Sequence, residues 1–198
     1  RKIILSTGMS NMREIRSAIS ILVQSGTRKK NISILHCSTE YPASINNLNL
    51  FSIKYMKDFL KMNIGYSDHS EGYEASLIAI SLGATILEKH FTLNKNLKGP
   101  DHKASLSPKE LTTYVQKIRL FEKSLGNYHK KPYKQEIIIS KIVRKKILAK
   151  ENIFKNQKFT TMNLTTKRSN KGLDASLWDQ LIGKKAKKNF KKDQAITI

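Results

Sequence analysis

Residues 63–90 read NIGYSDHSEGYEASLIAISLGATILEKH, and their pattern decides the fold. Asn63-Ile-Gly-Tyr-Ser67 is a short strand-like run. A helical pattern follows through Ala75–Leu82 and stops at Gly83, and Ala84-Thr-Ile-Leu-Glu-Lys-His90 is again strand-like. Two strands separated by a single helix pair in parallel. The same alternation extends outward. Upstream, residues 2–6 are β-rich and Gly8 is a turn signal. Asn11 reads as an N-cap with Glu14 three residues on, and Ile15, Ala18, Ile19, Leu22 and Val23 share a helical face that Gly26 ends. Ile32-Ser-Ile-Leu-His36 is a second strand, followed by a polar loop marked by Tyr41-Pro42 and a helix over Phe51–Met62. Downstream of Gly99-Pro100, Ser107 caps a helix with Pro108 first and Glu110 third. Leu111, Tyr114, Val115, Ile118, Phe121 and Leu125 form its expected buried face, and Gly126 ends it.

Strand and helix thus alternate four times. The expected fold class is α/β, a TIM (β/α)8 barrel of which this chain carries only four β/α units, because four is half of such a barrel. Half a barrel has two open edges. The chain opens at Arg1 on strand-like sequence, which reads as a start inside a domain. After Gly126 the texture changes. A polar linker with Pro132 is followed by short apolar runs at Ile137–Ile139, Ile147–Ala149, Phe159–Thr161, Leu164, Trp178–Ile182 and Ala195–Ile198. Three segments are expected: residues 1–126 as barrel, 127–136 as linker, and 137–198 as a small β-rich domain of short strands with Trp178 in its core.

Composition narrows the function classes. The 198 residues include 37 Lys+Arg against 15 Asp+Glu, a formal charge of +22. One reading is a nucleic-acid or anionic-surface binder. The other is a compositional bias, since Lys outnumbers Arg 30 to 7 and a phosphate reader favours Arg forks. The lysines are scattered, so nucleic acid is not the expected partner. The single Cys37 excludes an intramolecular disulfide framework or a multi-cysteine zinc module. No apolar run approaches the ~20 residues of a membrane span, and no signal peptide opens the chain. The expected compartment is the cytoplasm.

Polar groups gather where three strands end: His36-Cys-Ser-Thr-Glu40, Tyr66-Ser-Asp-His69 and Glu88-Lys-His-Phe-Thr92. In a parallel barrel these ends open on one face, where active sites form. His69 and His90 end adjacent strands. Two neutral imidazoles with water or substrate oxygens suit an open Mn²⁺, Zn²⁺ or Fe²⁺ site; alternatively each histidine hydrogen-bonds in the barrel mouth. Asp68 either orients His69 or caps the next helix. Gly99-Pro-Asp-His102 is a rigid turn presenting a carboxylate. Cys37 reads as a buried apolar thiol rather than a nucleophile.

Ser6-Thr-Gly-Met9, Leu35-His-Cys37, Glu40-Tyr-Pro42, Gly65-Tyr-Ser-Asp-His69, Glu88-Lys-His-Phe-Thr92 and Gly99-Pro-Asp-His102 occur in this order. Their spacing resembles the sialic acid synthase family, which includes N-acetylneuraminate synthase and its legionaminic and pseudaminic acid relatives. Thr166-Lys-Arg168, Gly172, Trp178 and Ile182-Gly-Lys184 resemble that family's C-terminal SAF (antifreeze-like) domain. The resemblance implies a transferase that condenses phosphoenolpyruvate with N-acetylmannosamine or a related N-acylated amino sugar, giving a nonulosonic (sialic) acid and phosphate. It implies His69 and His90 as ligands of a divalent metal, Mn²⁺ first, with Mg²⁺ or Co²⁺ as alternatives. It implies Asp101 as the active-site aspartate at the acceptor sugar, and Ser6, Ser67 and Thr39 around phosphoenolpyruvate. Arg168 is implied to reach the N-acyl group in a partner subunit's site, within a domain-swapped homodimer.

Departures from the family pattern are Lys167-Arg-Ser-Asn170 for the usual Lys-Arg-Pro-Gly, Lys155-Asn-Gln157 for Lys-Gly-Glu, and Ser44 for a second proline. The resemblance also implies four preceding strands, with phosphoenolpyruvate-holding lysines and proton-transferring glutamates. Without them this chain alone is expected to be inactive. The alternative reading is a catalytically incomplete fragment or pseudo-enzyme whose SAF domain binds a sugar or a partner.

Overall fold

The computed structural model describes residues 1–197 and divides into two compact units, Arg1–Asn127 and Tyr128–Ile198. The first contains β1 (Ile3–Ser6), α1 (Met12–Gln24), β2 (Ile32–Cys37), α2 (Phe51–Leu60), β3 (Asn63–Asp68), α3 (Glu74–Ser81), β4 (Leu87–Lys89) and α4 (Pro108–Leu125). The strands form one parallel sheet in the order β1-β2-β3-β4. Sequential order without a reversal is the barrel arrangement rather than the doubly wound one, and a common right-handed crossover sends each helix to the same side.

That side carries the core. Ile32 and Ile34 of β2 and Ile64 and Tyr66 of β3 pack with Ile15 and Ile19 of α1, Ile53, Met56 and Leu60 of α2, and Ala75 and Ala79 of α3. The other face carries Ile4, Ser6, Leu35, Cys37, Gly65 and Ser67, because strand side chains alternate. Gly65 is needed on that face. A Cβ there would lie 2.6 Å from the Ile86 carbonyl oxygen and 2.5 Å from Leu35 Cδ2. Ile4 remains 58% exposed, since β1 has no neighbour on its outer edge among the described residues.

Helix starts follow the sequence. Asn11 Oδ1 accepts from the Arg13 and Glu14 N–H groups, while Glu14 accepts from the Asn11 N–H. In α4, Ser107 Oγ accepts from the Glu110 N–H, and the Glu110 carboxylate accepts from the Ser107 N–H at 2.8 Å. Lys95 Nζ at 2.7 Å and then these Ser107 contacts hold the Glu110 carboxyl down to about 2. The stabilisation is complete above its ordinary value of 4.5 and is lost as pH falls through about 2. Ser107→Ala is expected to cost about 1 kcal/mol at neutral pH. The gap from the parent in thermal midpoint should narrow as pH falls through about 2, where Glu110 takes up its proton and its half of the box is lost; an undiminished gap below that pH would refute the assignment.

Four expectations are corrected. The fourth strand, expected over 84–90, is β4 at Leu87–Lys89 alone, although the Tyr66 N–H still donates to Ile86 O and Thr85 N–H to Ile64 O. Val115 and Leu125, expected on the buried face of α4, are 43% and 47% exposed; Tyr114 and Ile118 are its buried residues. Ile137–Ile139, expected as a short apolar run among strands and turns, lies in a helix, α5 (Lys134–Val143), which also takes up the end of the expected linker. The Glu136 carboxylate accepting from the Tyr133 N–H starts that helix, and none of its residues is buried. The β-richness expected of the second unit reduces to one antiparallel pair, β5 (Lys145–Ala149) with β6 (Leu164–Arg168), plus isolated bridges and a short helix, α6 (Trp178–Leu181).

The second unit's core joins Ile147, Ala149, Ile153, Phe159, Leu164, Leu181, Ala186, Phe190 and Ile196, with Trp178 half-buried against them. Asn156 stands at φ 70°, so asparagine takes the left-handed turn position there. Among the described residues no helix is long and apolar enough to cross a membrane.

Candidate active site

Parallel strands of a barrel-type sheet deliver their C-terminal ends to one side. Here those ends, Ser6–Met9, Cys37–Thr39, Ser67, His69, Glu88 and His90, line a single cavity of about 400 Å³ together with Ser10 and Tyr41. A slightly larger cleft of about 460 Å³ lies beside α4, but it gathers no imidazole, and half of its lining residues are aliphatic. The chemistry therefore sits at the strand ends.

The β3–β4 register sets the arrangement. Ser67 opposes Glu88 and Asp68 opposes Lys89, so Ser67, His69, Glu88 and His90 fall on the cavity side. The imidazoles of His69 and His90 meet edge to face, with ring centroids 5.2 Å apart. His69 Nδ1 lies 2.5 Å from the Ser38 carbonyl oxygen. A carbonyl only accepts, so Nδ1 carries the proton and Nε2 offers its lone pair. Ser67 Oγ stands 3.1 Å from that Nε2 and 3.1 Å from Glu88 Oε1, with one proton to give. Tyr41 stacks on His69 at 4.1 Å and lies 5.2 Å from His90, roofing both rings. Partial loss of hydration first, and then the nearby Cys37, Asp101 and Glu88, raise the phenol of the half-exposed Tyr41 above its ordinary value.

Asp101 Oδ2 lies 3.9 Å from His90 Nδ1. Its loop is tied back by the Ser105 N–H and hydroxyl on Asp101 O, by a 2.7 Å bond between Thr92 Oγ1 and His102 Nδ1, and by the Leu106 N–H on His90 O. Ser6 and Thr39 line the same cavity from β1 and the β2 end. Arg168 is the last residue of β6 in the second unit, exposed and opposite Lys145. Lys167 beside it pairs with Asp193 at 2.5 Å.

Cys37 is buried, its sulfur accepting from the Gly8 N–H. His36 points to the helix side, where burial lowers its pKa and Leu48 O binds Nε2 at 2.7 Å. Asp68 makes no bond to the His69 ring and does not cap α3. Its side chain turns to the helix side and pairs with Lys89 Nζ at 3.2 Å, both being nearly inaccessible. Sequence reading assigned no role to Glu88, Tyr41 or Lys89. The signal for Glu88 was its two-residue offset from His90, which puts both on one strand face. Tyr41 and Lys89 gave no comparable signal.

Comparison with known proteins matches this construction. Residues 1–130, which include every strand and helix around the cavity, match the NeuB family. The N,N′-diacetyllegionaminic acid synthase of Campylobacter jejuni is 48% identical over 196 residues, 99% of this chain and 59% of that protein. Human N-acetylneuraminate-9-phosphate synthase is 34% identical over 99% of this chain and 54% of its own length. The chain thus spans between half and three fifths of the length of these relatives. Among solved structures, the protein from Chromobacterium violaceum described as spore coat polysaccharide biosynthesis protein E superposes with a TM-score of 0.77. It covers all of this chain and 59% of that one; at 22% identity it shows the fold alone, a parallel four-stranded half-barrel. The N-acetylneuraminic acid synthetase of Leptospira borgpetersenii superposes over 70% of this chain and 47% of that one, with a TM-score of 0.63 and 36% identity. With the match running through the whole strand-end cavity, the chain belongs to the NeuB family, and its relatives are named as synthases of legionaminic, pseudaminic and neuraminic acids.

Proposed function

We infer that the protein is a nonulosonic acid synthase that joins phosphoenolpyruvate to N-acetylmannosamine or a related N-acylated amino sugar, and that the strand-end cavity is part of its active site. The observation that carries this reading is the gathering of His69, His90, Ser67 and Glu88 on one face, with Asp101 beside them, in a NeuB-family chain. A binding-only or pseudo-enzyme role would leave that convergence unexplained. In the reaction the methylene carbon of phosphoenolpyruvate bonds to the aldehyde carbon of the open-chain sugar, whose oxygen takes a proton. Water adds to the former enol carbon, and its C–O bond to phosphate breaks.

The donor set fits a divalent metal, Mn²⁺ first and Mg²⁺ or Co²⁺ otherwise. The Nδ1 proton of His69 is committed to Ser38, and Ser67 can give its hydroxyl proton to Glu88, which leaves the His69 Nε2 lone pair free. Among the described residues no three His, Cys, Asp or Glu side chains form a closed cage, so His69 and His90 would leave positions open to water or substrate. Bound there, the metal would polarise the acceptor aldehyde as a Lewis acid. Ser6, Ser67 and Thr39 offer hydroxyls to the phosphate and carboxylate of phosphoenolpyruvate. Asp101 accepts a hydroxyl of the acceptor sugar.

Among the described residues of the first unit no Lys or Arg lines the cavity despite the charge of +22, although phosphoenolpyruvate is a multiply charged anion. The cations that hold it come from outside these lining residues. The test is release of phosphate together with a nonulosonic acid, detected by mass spectrometry, from phosphoenolpyruvate and N-acetylmannosamine. The protein at its natural length should form both and lose the activity to EDTA. The 198-residue chain alone should form neither, and product from it would contradict the need for outside cations.

The second unit plays the SAF role, with Arg168 reaching the N-acyl group in the partner's site of a domain-swapped homodimer. Arg168→Ala in the natural-length protein should weaken acceptor use by about 1.5–3 kcal/mol in kcat/KM, the worth of a charge-assisted hydrogen bond, and phosphoenolpyruvate use by less. Mixed dimers of Arg168→Ala and His69→Ala subunits should recover activity, since one hybrid site has both parts. Inactive mixed dimers with proven subunit exchange would place Arg168 outside the partner's site.

A further inference from the structure

We propose that the buried Asp68–Lys89 ion pair is a positioning device for the site: it fixes the ends of β3 and β4 so that the next residue on each strand, His69 and His90, presents its imidazole to the other. The part concerning affinity rests on the reading that these imidazoles hold a divalent metal.

Asp68 and Lys89 are direct cross-strand partners, with side-chain exposures of 0% and 4% and a 3.2 Å contact. Removing two charges from water costs several kcal/mol per ion, and an apolar pair of similar volume would be as stable or more so. Two positions back along the same ladder, Tyr66 opposes Leu87. A charged pair in place of such a contact contributes fixed geometry rather than stability.

Its hydrogen bonds show what is fixed. Asp68 Oδ1 accepts from the Ser70 N–H at 2.9 Å and the Ser70 hydroxyl at 2.6 Å. Lys89 Nζ donates to the Ser70 carbonyl at 2.5 Å. Both polar backbone groups of the residue following His69 are therefore held by the pair, and the His69 carbonyl is held by the Ala43 N–H at 2.8 Å. Ser76 Oγ of α3 gives its one proton to Asp68 Oδ2 at 2.6 Å, so the Tyr114 hydroxyl of α4, 2.6 Å from Ser76 Oγ, must donate to Ser76. The chain Tyr114–Ser76–Asp68–Lys89 ties α4 and α3 to the ends of β3 and β4. β4 has three residues, and beyond it among the described residues the backbone support at His90 is the Leu106 N–H on His90 O and the isolated Phe91–Leu106 bridge. Lys89, the residue before His90, adds an anchor on the β3 side of that backbone.

The neutral double variant Asp68→Asn, Lys89→Met tests this. It removes both charges, strands neither, and keeps an acceptor for Ser70, while the new amide N–H can donate to Ser76 Oγ with that hydroxyl turned to Tyr114. It should fold, with a native circular dichroism spectrum. Isothermal titration with MnCl₂ should give at least about tenfold weaker binding than the parent chain, the usual cost of losing support behind a ligand. In metal-free protein, NMR cross-peaks between the His69 and His90 rings should disappear. A folded double variant with unchanged affinity and retained cross-peaks would overturn the proposal. Should the parent bind no Mn²⁺, the metal reading fails by itself, and the cross-peaks decide: lost in the variant they uphold positioning, kept they refute it. Should the double variant not fold, Ser76→Ala removes one hydrogen bond from Asp68 and leaves the charges paired. Weakened or absent ring cross-peaks in that folded protein support the proposal, and unaltered ones oppose it.

Discussion

Replacing His69 and His90 together by alanine is expected to abolish EDTA-reversible turnover of the natural-length protein while leaving its fold intact. The fold should survive because neither ring belongs to the apolar core of the first unit. The His69 ring is held by Ser38 and Ser67 and roofed by exposed Tyr41, and the His90 side chain is 28% exposed. The activity should not survive, because a Lewis acid supplies several kcal/mol of transition-state stabilisation, and each ~1.4 kcal/mol is tenfold in rate. A loss of about a thousandfold or more follows. Either single variant should lose nearly as much, since two imidazoles acting on one ion are not independent. Isothermal titration would give the matching result, with Mn²⁺ binding absent from the double variant. Full Mn²⁺-dependent turnover by that variant would remove both histidines from the metal site.

The largest expected effect on stability is at a residue that touches no substrate. Lys89→Met leaves Asp68 charged, inaccessible and facing only hydroxyl and amide donors. Breaking one side of a buried ion pair costs about 3–5 kcal/mol, several times the cost of losing the Ser107 cap. For a unit of this size that corresponds to a thermal midpoint lower by roughly 10–20 °C. Adding Asp68→Asn should restore most of the loss, because the stranded charge, and not the missing ammonium, carries the penalty. A Lys89→Met chain that melts with the parent would show that Asp68 finds another cation or water.

What could be read locally could be read from the sequence. Asn11 with Glu14 and Ser107 with Glu110 fixed the starts of α1 and α4, because a capping box is completed within one helical turn. The β/α alternation fixed the parallel half-barrel, and parallel strands must bring their C-terminal ends to one side. Ser6, Ser67, His69 and His90 therefore came together as their strand-end positions implied. Where local signals conflicted, the reading failed. The three consecutive isoleucines of Ile137–Ile139 favour a strand, yet they lie in α5 behind a Glu136–Tyr133 cap. Tertiary structure alone decided the partners of buried polar groups. Asp68 neither bonds the His69 ring nor caps α3, because strand alternation turned it to the helix side, where burial without a cation is prohibitive and Lys89 stood opposite. Tyr41 reached the imidazoles from a loop whose path no periodicity encodes. Backbone preference is settled among near neighbours in the chain. The cost of a buried charge, or the roof over a ring, is settled by whichever residue the fold brings across the sheet.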